Sequence, residues 1–85
     1  MLENVKRYGM EMSRDQCRAA RALLKMTQRQ LAKAAGVGVS TVMNYELGTR
    51  RNVTPEMIQS IRIALELAGV MFDGNGGVKL RKGRK

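Results

Sequence analysis

Apolar residues recur at helical spacing in four short segments of the chain, each bounded by residues that start or stop helices. The segment Ser13–Gln16 has the pattern of a capping box and predicts the start of helix one. A second capping box, Thr27–Gln30, predicts the start of helix two, and Gly36 ends that helix. The residues expected to face inward from these helices are Cys17, Ala20, Leu24, Leu31, Ala32 and Ala35, with Leu23 at the border of the first stripe.

Two further helices follow the same logic. Helix three is predicted over Val39–Leu47, with Gly38 as a weak cap and Gly48 after its end. Helix four begins at Thr54–Glu56, where threonine caps the helix, proline occupies its first turn and glutamate meets the positive end of its dipole. The residues expected to face inward from these two helices are Val42, Ile58, Ile61, Leu65 and Ala68.

After residue 69 the pattern changes to short apolar runs around a turn. Val70–Phe72 and Val78–Arg81 flank the turn-rich segment Asp73–Gly77 and predict a β-hairpin. Because an isolated two-stranded hairpin is marginally stable in water, we expect it to pack on the helices or to add to the strands of another chain. The predicted fold is therefore mainly α, a four-helix bundle with a C-terminal β-hairpin. The expected organisation is an N-terminal extension over 1–12, a helical domain over 13–69, the hairpin over 70–81 and a basic tail over 82–85.

Charge adds a class of partner to this picture. The 85 residues include 16 Lys and Arg against 7 Asp and Glu, a formal net charge of +9. Such an excess indicates a polyanionic partner such as nucleic acid. The segment Lys79–Lys85 holds a large share of the excess, and two interpretations of it stay open. It is either a solvated, disordered end or an arm that touches phosphates.

The composition also argues against several kinds of chemistry. There is no histidine and a single cysteine, Cys17, so neither an internal disulfide nor a zinc site is expected. Cys17 lies on the apolar stripe of helix one and is interpreted as a core residue. The acidic residues are scattered, so we expect no enzyme activity and no cofactor. With no long apolar run, no signal pattern and no room for a second, effector-binding domain, we expect a cytoplasmic protein without a small-molecule effector.

The segment Thr27–Gly48 has the layout of a helix-turn-helix, with two short helices joined by a tight turn at Gly36. The first residues of helix three, and those one turn on, are expected to face away from Val42. They are short and mostly polar, which suits base edges or thymine methyl groups. The exposed amides at the starts of helices two and three are suited to hold phosphates. Arg50 and Arg51 lie in the loop after helix three, where they are expected to contribute little to folding stability. Contacts of these side chains with DNA phosphates would be favourable because they release counterions.

A longer pattern runs through the helical domain: Arg21-x5-Thr27-Gln28-x2-Leu31-Ala32-x3-Gly36-Val37-x4-Val42-x3-Glu46-x-Gly48. Over about residues 14–68 it resembles the lambda-repressor-like (Cro/CI, XRE) helix-turn-helix family. The resemblance implies a lambda-repressor-like fold that binds double-stranded DNA, with Arg21 and Glu46 as an internal ion pair. The sequence departs from the family at Gly38, where Ser or Thr usually caps, and at Val39, which cannot hydrogen-bond to a base. The hairpin also replaces the fifth helix of the phage repressors.

The resemblance implies two sets of contacts with DNA. Base reading is expected from the outward face of helix three. The residues of this set are Val39, Ser40, Thr41 and Asn44. Contacts with the DNA backbone are expected from the start of helix two, the turn, one position in helix three and the loop after helix three. The residues of this set are Gln28, Arg29, Gly38, Met43, Thr49, Arg50 and Arg51.

The expected function is sequence-specific regulation of transcription, as a repressor that blocks polymerase. Because a single helix-turn-helix reads few base pairs, we expect a homodimer on two half-sites, formed through the hairpin or the N-terminal extension. Two other interpretations stay open. The chain could be an antitoxin-type interaction module that binds a partner protein and its own promoter. It could also be a non-specific nucleic-acid binder driven by its basic tail.

Overall fold

The computed structural model describes residues 12–81, which form four helices and a two-stranded antiparallel sheet. The predicted mainly α fold with a C-terminal hairpin is confirmed. Most of the predicted N-terminal extension and the whole basic tail over 82–85 lie outside the described residues. No helix within the described range is long and apolar enough to cross a bilayer. The elements are α1 (Arg14–Leu24), α2 (Gln28–Ala35), α3 (Val39–Leu47), α4 (Pro55–Ala68), β1 (Val70–Phe72) and β2 (Val78–Leu80).

Local hydrogen bonds explain where the helices begin. At α1 the Ser13 hydroxyl accepts from the backbone N–H of Gln16 at 3.0 Å, and the side-chain oxygen of Gln16 accepts from the backbone N–H of Ser13 at 2.8 Å. Thr27 and Gln30 form the same reciprocal pair at α2. Both predicted capping boxes are therefore confirmed. α3 begins at Gly38 without a side-chain cap, so its start depends on packing against its neighbours.

Residues in the left-handed backbone conformation end the first three helices. Gly36 and Gly48 close α2 and α3 with φ of 73° and 95°, as the sequence predicts. α1 instead ends at Lys25, which adopts φ of 56° although it carries a side chain. That conformation lets the chain turn within three residues from α1 into α2. The two helices therefore lie at a fixed angle on the same core.

One hydrophobic cluster holds the described helices and the hairpin together. Five of its members, among them Met12 and Tyr45, lie outside the predicted helical stripes, and the Tyr45 hydroxyl donates to the Met12 carbonyl. Ala68, predicted to face inward, is exposed because it is the last residue of α4. The buried stripe of that helix ends one turn earlier, at Ala64 and Leu65. The cluster comprises Met12, Cys17, Ala20, Leu31, Ala32, Val42, Tyr45, Val53, Ile58, Ile61, Ala64, Leu65 and Val70.

The hairpin packs on α1 and α4 of its own chain. Val70 pairs with Leu80 and is buried, which anchors the strands on the core. The buried side chain of Gln16 provides a second anchor, because its amide donates to the Gly77 carbonyl at 2.9 Å and to the Asp73 carbonyl at 3.3 Å. Gln16 therefore serves the cap of α1 and the turn of the hairpin together. Of the two placements expected from sequence, packing on the helices is observed.

Candidate nucleic-acid interface

The segment from α2 to α3 forms a compact helix-turn-helix. Gly36 turns the chain in the left-handed conformation, and the Val37 amide donates to the Ala32 carbonyl at 3.0 Å. Ala32 is buried, and the two helices pack directly against each other. On the far side of the turn, the Thr41 amide donates to the Gly38 carbonyl at 3.0 Å and closes the first turn of α3. The turn therefore fixes the direction in which α3 leaves α2.

The outward face of α3 is defined by Ser40, Met43, Asn44 and Leu47. Ser40 is exposed and Asn44 is half-buried. Met43 and Leu47 are 43% and 69% exposed, so this face presents two large apolar side chains to solvent. The Asn44 side-chain amide donates to the Arg51 carbonyl at 3.2 Å and ties this face to the loop that follows.

Two residues expected on this face are placed differently. Thr41 is 6% exposed, so the expectation that it faces away from the core is wrong. Val39 is half-buried and packs against the core. The reason is that α1 and α2 flank α3 on both sides. Its buried side therefore includes two neighbouring rows rather than a single row through Val42. The buried residues of α3 are Thr41, Val42, Tyr45 and Glu46.

Behind the outward face, a buried carboxylate joins three elements. Arg21 lies against Glu46 in a two-pronged ion pair, with Nε at 2.7 Å from Oε2 and Nη2 at 2.8 Å from Oε1. The Gln28 amide donates to Oε1 at 3.0 Å, and the Cys17 thiol donates to Oε2 at 3.2 Å. The Glu46 side chain is 3% exposed and that of Arg21 is 20% exposed. This network fixes α1, the start of α2 and α3 relative to one another.

The network shifts the pKa values of its members. Burial raises the pKa of Glu46, but hydrogen bonds from Arg21, Gln28 and Cys17, together with the charge of Arg21, outweigh burial and hold that pKa below its usual range. The hydrogen bond to Glu46 raises the pKa of Arg21. Burial raises the pKa of the Cys17 thiol well above its usual range, and the hydrogen bond to the Glu46 carboxylate raises it further. At neutral pH the carboxylate is therefore charged and the thiol is a protonated donor.

Two further arginines hold the C-terminal end of α3. Arg14 Nη1 donates to the Leu47 carbonyl at 2.6 Å, and Arg18 Nη1 donates to the Glu46 carbonyl at 3.2 Å. Cations at this position complement the negative end of the helix dipole. These contacts of Arg14 and Arg18 were not among the interactions predicted from the sequence. The signal was present in the spacing, since positions 14, 18 and 21 share one face of α1.

The remaining residues expected at the interface lie around α3. Gln28 is half-buried at the first position of α2 and, with one amide N–H directed at Glu46, retains a second N–H donor. Arg29 and the capping Gly38 are exposed. The loop after α3 is exposed from Thr49 to Asn52. Within residues 12–81 no group of three or more His, Cys, Asp or Glu side chains is placed to hold a metal ion.

This arrangement defines a DNA-binding protein of the helix-turn-helix class, with an outward helix braced from behind and exposed cations beside it. The family model HTH_3, described as helix-turn-helix, matches residues 18–68, which is more than half of the chain. The chain therefore belongs to the XRE, or lambda-repressor-like, helix-turn-helix family of DNA-binding regulators. No curated protein matches the sequence.

Proposed function

We propose that the protein is a sequence-specific transcriptional repressor that inserts α3 into the major groove of double-stranded DNA. The observation that carries this proposal is the outward face of α3, whose exposed Ser40 and Met43 stand on a helix locked from behind by Glu46 and Arg21. A rigid helix of this kind presents side chains to base edges without an ordering cost at the moment of binding. A repressor bound over a promoter blocks polymerase by occupying the site.

The flanking residues support the grip on the DNA backbone. Arg29, Arg50 and Arg51 are exposed, and cations of this kind favour phosphates by releasing counterions. Gln28 and Thr49 bring further N–H and O–H donors to the same side. Gly38, with no side chain, leaves the amides at the start of α3 accessible to a phosphate. Asn44 is the base-reading residue whose amide also orients the arginine loop.

We also propose that the protein binds DNA as a homodimer. The hairpin supports this part of the proposal, because Met71 and Leu80 are exposed apolar residues on a two-stranded sheet whose outer edges offer backbone groups for pairing. Light scattering should give twice the monomer mass, and Leu80→Asp should shift it to the monomer. A monomeric wild-type protein with intact DNA binding would exclude this arrangement.

Selection of bound duplexes from a random pool tests the sequence-specific function directly. The expected product is a pair of half-sites whose centres lie about one helical turn, or roughly 34–36 Å, apart. With the selected duplex upstream of a reporter gene, expression of the protein should lower transcription. Equal affinity for random DNA and for RNA, with steep salt dependence, would instead show a non-specific binder. Co-purification of a second small protein would favour the antitoxin-type interpretation, in which the chain binds a partner protein as well as its own promoter.

Variants separate the backbone contacts from base reading. Replacing Arg50 and Arg51 together by alanine should weaken binding to every sequence and lower the slope of log affinity against log salt by about two. Removing the same charge from the hairpin segment, with Lys79→Ala and Arg81→Ala, separates the two interpretations of that segment: an unchanged slope would identify a solvated end, and a lower slope would identify a further contact with phosphates. Asn44→Ala should relax discrimination at one base pair. Uniform loss of all sequence dependence, or of none, would contradict the role of Asn44.

A further inference from the structure

The outward face of α3 offers few hydrogen bonds to bases. Thr41 is buried, and the Asn44 amide has one N–H committed to the Arg51 carbonyl. The Gln28 amide likewise directs one N–H to Glu46, behind the face. Ser40 and the remaining half of the Asn44 amide are what this face presents to base edges. A helix that specified its site by hydrogen bonds alone would read few positions with this set.

The same face is rich in apolar surface. Met43 lies between Ser40 and Leu47 at helical spacing, so the three side chains form one row along the helix. Met43 and Leu47 border an open groove of about 310 Å³, whose other lining residues are Arg18, Arg21, Gln28 and Glu46. Exposing large apolar side chains gains nothing for folding, whereas covering them on binding is favourable. The row therefore points to an apolar feature of the binding partner.

In the major groove, the apolar feature that projects toward a bound helix is the 5-methyl group of thymine. Arg50 and Arg51 are exposed in the loop after α3 and Arg29 is exposed in the first turn of α2, whereas the carboxylate of Glu46 is buried and neutralised by Arg21. Charge complementarity therefore favours a polyanion over an apolar protein surface as the occupant of this face. A methionine suits small methyl targets because its flexible thioether fills irregular gaps.

We propose that Met43 reads thymine 5-methyl groups, so that apolar contacts carry a large part of the sequence preference of this protein. This inference rests on the proposed DNA-binding function and changes the role of Met43 from a backbone contact to a specificity determinant. Leu47 extends the same apolar surface by one turn. The operator should accordingly contain thymine at one or two fixed positions in each half-site.

Replacement of thymine by deoxyuridine tests the proposal, since it removes the methyl group and leaves every hydrogen-bonding group of the base in place. The full-length protein is titrated with the selected duplex, and with duplexes carrying one replacement each, at fixed salt by fluorescence anisotropy. At the contacted positions each replacement should weaken wild-type binding about fourfold, the effect of one methyl group withdrawn from apolar contact. Met43→Ala should bind the thymine duplex more weakly and lose the response to deoxyuridine at the same positions.

Ile63→Ala is the matched control, because the exposed fraction of Ile63 on α4, 45%, is similar to the 43% of Met43. This variant should keep the wild-type response to deoxyuridine. Circular dichroism should show Met43→Ala folded, since the side chain is exposed. Sequence-specific binding that no replacement weakens would overturn the methyl-reading proposal while leaving the regulator function intact. A Met43→Ala variant that keeps the full response to deoxyuridine would also overturn the proposal and would favour a protein partner for this face. Failure to select any duplex would instead count against the proposed function itself.

Discussion

Replacing Glu46 by glutamine probes how much stability the buried carboxylate contributes. Within the described residues, each Glu46 oxygen accepts one N–H from Arg21 and one further donor, from Gln28 at Oε1 and from Cys17 at Oε2. Glutamine has nearly the same shape but replaces one oxygen by an NH2 group. In either orientation of the amide, an N–H of Arg21 then meets N–H groups instead of an acceptor.

The magnitude follows from the bonds that are lost. A hydrogen bond between charged partners contributes about 1.5–3 kcal/mol, and the guanidinium of Arg21 also loses its counter-charge. Because the Arg21 side chain remains 20% exposed, water compensates part of this loss. We expect the free energy of unfolding to fall by about 2–4 kcal/mol, a large part of the roughly 5–10 kcal/mol available to a domain of this size.

The pH dependence of the effect carries a definite sign. Burial alone would raise the pKa of Glu46, but its hydrogen bonds and the charge of Arg21 lower that pKa in the folded protein. The carboxylate therefore contributes fully above the pKa of an unfolded glutamate, about 4.3, and this contribution is lost as the pH falls through the lowered folded-state value. The difference between wild type and E46Q should be largest above about pH 5 and shrink in acid.

Urea denaturation followed by circular dichroism at several pH values measures this difference. Glu66→Gln is the control, since Glu66 forms an i,i+4 pair with Arg62 on the surface of α4 and is 39% exposed. That control should cost no more than about 0.5 kcal/mol. An E46Q variant as stable as wild type at neutral pH, or a difference that grows on acidification, would refute the reasoning about the buried network.

Two further predictions concern backbone conformation and thiol chemistry. Gly48→Ala should destabilise the protein by about 1 kcal/mol more than Gly36→Ala in urea titrations, because both glycines have positive φ but a Cβ at position 48 overlaps the guanidinium of Arg14, whereas position 36 is open. Equal losses would show that Arg14 yields without cost. Cys17 should react slowly with iodoacetamide at pH 8 in the folded protein and rapidly in denaturant, because burial and the Glu46 carboxylate raise its pKa and suppress the thiolate. A folded protein that alkylates at the denatured rate would contradict the protonated, buried thiol.

Local chemistry made the helix boundaries predictable. The capping boxes at Ser13 and Thr27 join residues three positions apart, so their hydrogen bonds follow from the sequence pattern itself. The end of α2 at Gly36 follows in the same way from the backbone freedom of glycine. Membership of the helix-turn-helix family was also predictable, because the family pattern combines these local signals with core positions at fixed spacing.

Features that depend on distant parts of the chain were less accessible. The burial of Thr41 depends on how far α1 and α2 wrap around α3, which periodicity within α3 does not encode. Arg14 and Arg18 bind carbonyls 33 and 28 residues away, and a basic residue on a helix surface otherwise appears solvated. The commitment of the Asn44 amide to the Arg51 carbonyl likewise requires the conformation of a loop.

The double role of Gln16 has a consequence for engineering this scaffold. Any hairpin transplanted onto these helices must present two main-chain oxygens level with the first turn of α1, or the glutamine is left with amide hydrogens enclosed and unsatisfied. Conversely, an apolar residue at position 16 would remove both the acceptor for the Ser13 N–H and the donors to the turn of the hairpin. The hairpin is therefore part of the packed bundle, and it cannot be exchanged without regard to Gln16.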